Sequence, residues 1–223
     1  MEEERRASRP TGSKVAKLNW EMAVIALLVI GVATKASRRG AKPSTPAIRW
    51  TDSEMATFIE QVAPIGVPLE AALKVYAAES GLDPHASSGI AWGLCQAIGS
   101  TLKALGWQRA AKEFGTLSVA QQAPWIAKLL AYQARAIGFV PDNAIDLYVA
   151  NFSPLAAKMH ANVLYREGTQ AYAKNRGLDH GAKGYIDRGD LALALGKAES
   201  SDAYKNAVAQ LRRLTMTRKA GHA

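Results

Sequence analysis

The amino-acid sequence predicts an all-α protein from three observations. Hydrophobic residues make up 48% of the 223 residues, so the chain can bury a core of ordinary size. Alanine, which has the highest intrinsic helix propensity, is frequent in runs that contain neither glycine nor proline. From Trp50 onward, apolar residues recur at helical spacing, and the alternating patterns typical of strands are nearly absent.

The individual helices follow from this spacing and from residues that begin or end helices. The first covers about 51–63, and either Thr51 or Asp52 can cap it. The second covers 68–80, and Gly81 suits the left-handed position that ends a helix. A loop follows to about Trp92. Further helices are predicted at 92–98, 100–113, 118–137, 142–151, 153–159, 167–175, 188–197 and 200–215.

The N-terminal region differs in composition from the rest of the chain. Residues 1–50 contain ten Lys or Arg and four Asp or Glu, so they account for +6 of the net charge of +9. Because these charges flank an apolar stretch, they favour contact with an anionic membrane surface, and no specific nucleic-acid binding is expected. The predicted order is a polar disordered arm at 1–19, an apolar segment at 20–36 and a basic linker at 37–49.

The apolar segment at 20–36 is short for a membrane helix. Its unbroken apolar run extends only from Met22 to Ala33, whereas a helix that spans the bilayer core needs about 20 residues. Three interpretations stay open: an uncleaved anchor or short transmembrane helix, a cleaved signal peptide, and a buried helix of a soluble domain. We favour the first of these. Basic residues on both sides leave the membrane orientation undetermined.

A motif with spaced elements occupies 79–101, which read ESGLDPHASSGIAWGLCQAIGST. Its elements are Glu79-Ser80, Asp83-Pro84, Ala86-x-Ser88, Gly93-Leu94-x-Gln96 and Thr101. This run resembles the signature of the lytic transglycosylase family of lysozyme-like enzymes. The resemblance extends over about 55–170, and within the family it is greatest to members associated with phage virions.

The resemblance implies a lysozyme-like helical domain at 50–170, followed by a small helical extension at 171–223. It implies an enzyme that cleaves the β-1,4 bond between MurNAc and GlcNAc in peptidoglycan glycan strands. The product would be a 1,6-anhydroMurNAc end, and the reaction would need no metal or organic cofactor. The implied setting is delivery of a phage genome through the cell wall, with virion proteins as partners. The protein would then belong to the virion or to the bacterial envelope, acting in the periplasm.

The same resemblance assigns roles to individual residues, with Glu79 as the catalytic acid. Four residues are implied to bind the substrate or to position the acid: Ser88, Gln96, Tyr148 and Asn151. The family often has a Tyr directly before the Asn, and this chain has Ala150 there. Tyr148 is assigned as its substitute.

The chemistry independently requires a carboxyl group that stays protonated near neutral pH. Glu79 follows a run of apolar residues at a helix end, where burial can raise its pKa. The candidates for a second carboxylate, Asp83 and Glu113, are better explained as a turn residue and a surface residue. A reaction with one carboxyl group is therefore favoured. Two alternatives stay open: a muramidase of the same fold, and a non-catalytic wall-binding structural virion protein.

Metal sites are not expected. The only cysteine, Cys95, excludes an intramolecular disulfide, and the four histidines are scattered along the chain. The segment GLDHGAKGYIDRGD at 177–190 superficially matches a calcium-binding loop. Lys183 stands at its fifth position and Gly181 at its third, where carboxylates are needed, so we interpret this segment as a turn between two short helices.

Overall fold

The structure is a computed structural model that describes residues 49–220. The predictions for the arm at 1–19, the apolar segment at 20–36 and nearly all of the linker lie outside these residues. The described chain is 64% helical and 7% strand, so the prediction of a mostly helical protein is confirmed. Within 49–220, no helix combines the length and the apolar character needed to cross a bilayer.

The first two helices end where the sequence predicts. Helix α1 (Asp52–Val62) is capped by Thr51, whose Oγ1 accepts a hydrogen bond from the Glu54 backbone N–H at 3.2 Å. Helix α2 (Leu69–Ser80) ends at Gly81, which has a φ of 65° and donates its N–H to the carbonyl of Ala77. This left-handed residue turns the chain sharply away from the helix axis.

The helix predicted over 92–98 is wrong. The chain there forms an antiparallel ribbon of strands β1 (Ala91–Trp92) and β2 (Ala97–Ile98). Gly93 and Gln96 have φ values of 77° and 46°, and two left-handed residues this close together cannot continue a right-handed helix. The apolar run that suggested a helix is instead a tight turn between two short strands.

The helix predicted over 100–113 is too long. Helix α3 (Gly99–Ala104) ends just before Gly106, whose φ is 92°. The chain resumes as a 3-10 helix over Ala111–Thr116. The left-handed glycine and the loop after it separate two stretches that the spacing of apolar residues had joined.

Three further helices follow, close to their predicted bounds: α4 (Val119–Ile137), α5 (Ala144–Phe152) and α6 (Pro154–Lys158). Ser118 caps α4 and Asn143 caps α5, each with a side-chain oxygen that accepts a backbone N–H three residues later. The polar caps fix where each helix begins, and the apolar residues that follow are buried.

The C-terminal part contains a second ribbon that the sequence did not reveal. The elements of this C-terminal part are, in order, β3 (Val163–Arg166), α7 (Gln170–Asn175), a 3-10 helix (Arg176–Leu178), β4 (Tyr185–Asp187), α8 (Arg188–Glu199) and α9 (Asp202–Ala220). Strands β3 and β4 pair antiparallel. The segment interpreted as a turn between two helices is therefore a turn that leads into a strand and then into α8.

Helix α2 lies at the centre of the packing. It contacts α5, α8 and α9, and seven of its twelve residues are buried, among them Leu73, Tyr76 and Glu79. Buried residues of the C-terminal helices, such as Leu191 and Leu211, belong to the same hydrophobic core as those of α1 and α4. The residues at the end of α2 are therefore held on several sides, which keeps their side chains out of water.

Candidate active site

Glu79 lies in the last turn of the central helix and is a buried carboxyl group. Only 7% of its surface is exposed. Its Oε1 accepts a hydrogen bond from Asn151 Nδ2 at 3.0 Å. Its Oε2 is buried and has no hydrogen-bond partner among the described residues. A carboxylate in this position would be almost entirely desolvated, with a single donor to stabilise its charge.

The amide of Asn151 is itself held by a second amide. Gln133, on α4, donates from Nε2 to Asn151 Oδ1 at 2.9 Å. Asn151, on α5, is 8% exposed and Gln133 is 2% exposed. The three side chains form a buried chain of hydrogen bonds that joins α4, α5 and α2.

Burial raises the pKa of Glu79 from 4.5 to about 8, while the hydrogen bond from Asn151 acts in the opposite direction and is the smaller effect. Tyr76, Cys95 and Tyr148 lie close enough for the charge of Glu79 to affect their pKa values, and burial raises the pKa of each of them as well. None of these neighbours carries a charge near neutral pH. The site therefore holds Glu79 in its protonated form at pH 7, where an exposed glutamate is ionised.

The loop that follows Glu79 is held by a residue that the sequence analysis missed. Gln122, on α4, is fully buried. Its Nε2 donates to the carbonyls of Pro84 at 2.7 Å and Leu117 at 2.9 Å, and its Oε1 accepts from Leu94 N–H at 2.8 Å. One side chain thus joins both ends of the loop to α4.

Gly93 makes this contact possible. A Cβ at this position would lie 2.6 Å from Gln122 Oε1 and 2.7 Å from the ring of Phe114, and the φ of 77° disfavours any other residue. The Gly-Leu-x-Gln element of the motif therefore has a structural reason for its glycine. The backbone must approach α4 closely for Leu94 to reach Gln122.

The structure brings together some of the predicted site residues and not others. Asn151 contacts Glu79 directly, and Tyr148 lies near enough for the charge of Glu79 to affect its pKa. Ser88 is exposed, and its Oγ accepts from the Ala91 N–H within the loop. Gln96 donates to two loop carbonyls, at 2.9 and 3.2 Å. The roles of Ser88 and Gln96 in sugar binding stay predictions, since the contacts they make here are with the loop itself.

The sequence did contain a sign of the two glutamines on α4. Gln122 and Gln133 fall on the stripe of positions that also includes Ile126, Leu129 and Leu130, all of them buried. A glutamine on the apolar stripe of a helix needs a buried partner, because an unpaired amide in the core is costly. That partner lies 28 residues away for Gln122 and 18 residues away for Gln133.

Other polar groups of the described chain do not form a metal site. No group of three or more His, Cys, Asp or Glu side chains within 49–220 is arranged to hold a metal ion. In the segment that matches a calcium loop, Lys183 Nζ lies 2.9 Å from an Asp187 oxygen and 3.0 Å from an Asp190 oxygen. The ammonium group occupies the space between these carboxylates.

One sizeable cavity lies away from Glu79. It is bounded by Trp50, Leu82 and one face of α9, and no predicted site residue lines it. The surroundings of Glu79 are distinguished by burial, by the hydrogen bond from Asn151 and by the raised pKa. Comparisons with models of known families, with curated proteins and with solved structures give no match to this chain.

Proposed function

We propose that this chain is a peptidoglycan lytic transglycosylase whose helical domain is lysozyme-like and whose acid and base is Glu79. The observation that carries the proposal is a buried carboxyl group with a pKa of about 8, placed at the end of the central helix and held by one amide. Such a group is protonated at neutral pH and can donate its proton to a glycosidic oxygen.

The contacts of Glu79 indicate how it would act. Because Oε1 accepts a hydrogen bond from Asn151, the proton of the neutral carboxyl is on Oε2. Transfer of this proton to the leaving oxygen breaks the glycosidic bond and leaves a carboxylate. The carboxylate, stabilised by Asn151 Nδ2, then takes the proton of the muramoyl 6-hydroxyl as that oxygen attacks the anomeric carbon. The 1,6-anhydro ring forms, and Glu79 is protonated again.

The positions of other carboxylates favour a reaction that needs only one. Hydrolysis by the common mechanisms uses a second carboxylate, as a nucleophile or as a base for water. Asp83 Oδ1 accepts from the His85 N–H at 2.8 Å, and Glu113 Oε1 accepts from the Ala110 N–H at 3.3 Å. Both candidates are thus used in local turns. An internal hydroxyl of the sugar removes the need for such a partner.

The substrate class proposed is the alternating GlcNAc–MurNAc polymer, and the setting proposed is the virion or the bacterial envelope. The support for this setting is the motif at 79–101 together with the basic and apolar segments before residue 50. In this proposal, residues 20–36 direct the chain to a membrane, and the domain that follows acts on the wall.

The test is digestion of purified peptidoglycan by the full chain, with product analysis by mass spectrometry. We expect muropeptides that are smaller by one water than the corresponding products of hydrolysis. Glu79→Gln should abolish their formation while the thermal unfolding transition is retained. Glu60→Gln, at an exposed position on α1, is the matched control and should cleave like the wild type.

Three outcomes would contradict the proposal. Products with reducing ends would show a muramidase of the same fold. Cleavage by purified Glu79→Gln would remove Glu79 from the reaction. Absence of any cleavage by the folded wild type, together with binding to peptidoglycan, would favour a structural protein of the virion or wall.

A further inference from the structure

The buried amides of Gln133 on α4 and Asn151 on α5 form a chain of hydrogen bonds that ends at Glu79. The direction of these hydrogen bonds has a chemical consequence. Gln133 Nε2 donates to Asn151 Oδ1 at 2.9 Å, and Asn151 Nδ2 donates to Glu79 Oε1 at 3.0 Å. Each donor in this chain points toward the carboxyl group. The chain begins on a residue that is 2% exposed, so water does not compete for its contacts.

An asparagine amide presents either an acceptor or a donor, depending on a half-turn of its terminal group. Glu79 alone does not decide between them, because a neutral carboxyl group can either accept from Nδ2 or donate to Oδ1. Gln133 faces Asn151 with Nε2, at 2.9 Å from Oδ1, and a donor in this place pairs with Oδ1 and not with Nδ2. We propose that Gln133 is a positioning residue that fixes the Asn151 amide, so that Asn151 donates to Glu79 and the acidic proton remains on Oε2. In its catalytic consequence, this inference rests on the function proposed above.

The opposite orientation would impair both halves of the proposed reaction. With Oδ1 toward Glu79, the carboxyl proton would be held by Asn151 instead of being available to the sugar. After proton transfer, the carboxylate would face a carbonyl oxygen, and the buried charge would have no donor. Gln133 therefore acts most strongly on the charged form of Glu79, which forms when the bond is cleaved or when the pH rises above the pKa of the group.

The surroundings of Glu79 make its ionisation a clean measure of this amide. The titratable groups that face it are Tyr76 on its own helix, Cys95 in the β1–β2 turn and Tyr148 on α5. Burial raises the pKa of Cys95 to about 12 and raises those of both tyrosines well above 10. Between pH 5 and 10 these neighbours stay uncharged, so a shift in the pKa of Glu79 reports a change in its hydrogen bond with Asn151.

The experiment compares Gln133→Met, Asn151→Leu and the double variant, with Tyr132→Phe as a control on the same helix. Methionine keeps the length of the side chain but has no donor. The carboxyl carbon of Glu79 is followed by carbon-13 NMR as a function of pH, and cleavage is followed as kcat and KM over the same range. The NMR titration needs no substrate, so it tests the amide chain even if the proposed enzyme activity fails.

For Gln133→Met we expect the titration of Glu79 and the alkaline limb of kcat to move to higher pH. We expect kcat to fall about 10- to 100-fold, the size of a lost hydrogen bond to a charged group, with KM changed less than about twofold. In the Asn151→Leu background, Gln133→Met should have no further effect. Tyr132→Phe should behave as the wild type.

Two results would overturn the proposal. One is a Glu79 titration in Gln133→Met that is the same as in the wild type. The other is an equal effect of Gln133→Met with and without Asn151, which would show that it acts by another route. If Gln133→Met does not fold, Gln133→Leu takes its place, because leucine also lacks a donor and introduces no new titratable group. It too must raise the pH of the Glu79 titration.

Discussion

Glu79→Gln is expected to make the folded protein more stable above pH 5, although it removes the proposed catalytic group. The pKa of Glu79 rises from 4.5 to about 8 because the folded chain buries the carboxyl group. Between these two values the folded state keeps a proton that the unfolded state has lost. The free energy of unfolding therefore falls as pH rises through this window. Below pH 4.5 this loss is absent, because the carboxyl group is protonated in both states. Glutamine cannot ionise, so the variant lacks this loss.

The magnitude follows from the two pKa values. Each pKa unit is worth about 1.4 kcal/mol, so a change from 4.5 to about 8 corresponds to about 5 kcal/mol at full development. At pH 7 the loss is about 3 kcal/mol. Glutamine at this position still offers a carbonyl oxygen to Asn151 Nδ2, so the variant keeps the hydrogen bond while it avoids the charge.

Urea unfolding followed by tryptophan fluorescence, from pH 4.5 to 9, measures the difference between the wild type and Glu79→Gln. We expect the two proteins to be similar at pH 4.5 and to diverge steadily toward pH 8. Glu60→Gln, at an exposed position, should show the same dependence of stability on pH as the wild type. A stability difference for Glu79→Gln that does not change with pH would refute the reasoning, because it would mean that the carboxyl group is not desolvated.

Three further predictions concern the rest of the fold. Gly93→Ala should lower the free energy of unfolding by about 2–4 kcal/mol through a steric clash and backbone strain. Gly89→Ala, where φ is 87° but the space around a Cβ is open, should lower it by about 1 kcal/mol. Equal losses in urea unfolding would show that the close contact with Gln122 is unimportant. Tyr76→Phe removes a buried hydroxyl that has no partner among the described residues and should stabilise by about 1 kcal/mol, and a marked loss of stability would show that the hydroxyl is satisfied. Millimolar calcium should leave Tm unchanged because Lys183 already lies between two carboxylates; a rise that a chelator reverses would contradict this.

The helices could be read from the sequence because their ends have local causes. Thr51 and Ser118 each cap a helix and are themselves paired with the residue three positions on. Gly81 ends α2 in the left-handed conformation that only glycine adopts without strain. The placement of Glu79 in the last turn before this glycine follows from the same local pattern.

The hairpin at 91–98 could not be read in this way because its cause is not local. Two-residue strands are too short to show an alternating pattern. The turn is held by the buried amide of Gln122, whose Oε1 accepts the Leu94 N–H from 28 residues away. A segment whose conformation depends on a distant side chain carries no signal of its own in the apolar spacing.

The candidate site was likewise predicted only in part. Glu79 and Asn151 follow from the motif and from the family resemblance, and the structure places them 3.0 Å apart although 72 residues separate them. Gln133 was missed because it is a polar residue on a mostly apolar stripe, and such a residue does not change the assignment of the helix. Its role becomes visible only when α4 and α5 are packed together.

The number of donors around Glu79 fits the role proposed for it, an acid first and a base afterwards. Two or three donors would stabilise the carboxylate so well that its pKa would fall below that of a free glutamate, and no proton would remain to donate at pH 7. With no donor, the buried charge left by proton transfer would be uncompensated. Asn151 supplies one, and Gln133 ensures that it is a donor and not an acceptor. A pKa near 8 is the balance between burial and this single bond, and it would allow both proton transfers of the proposed reaction near neutral pH.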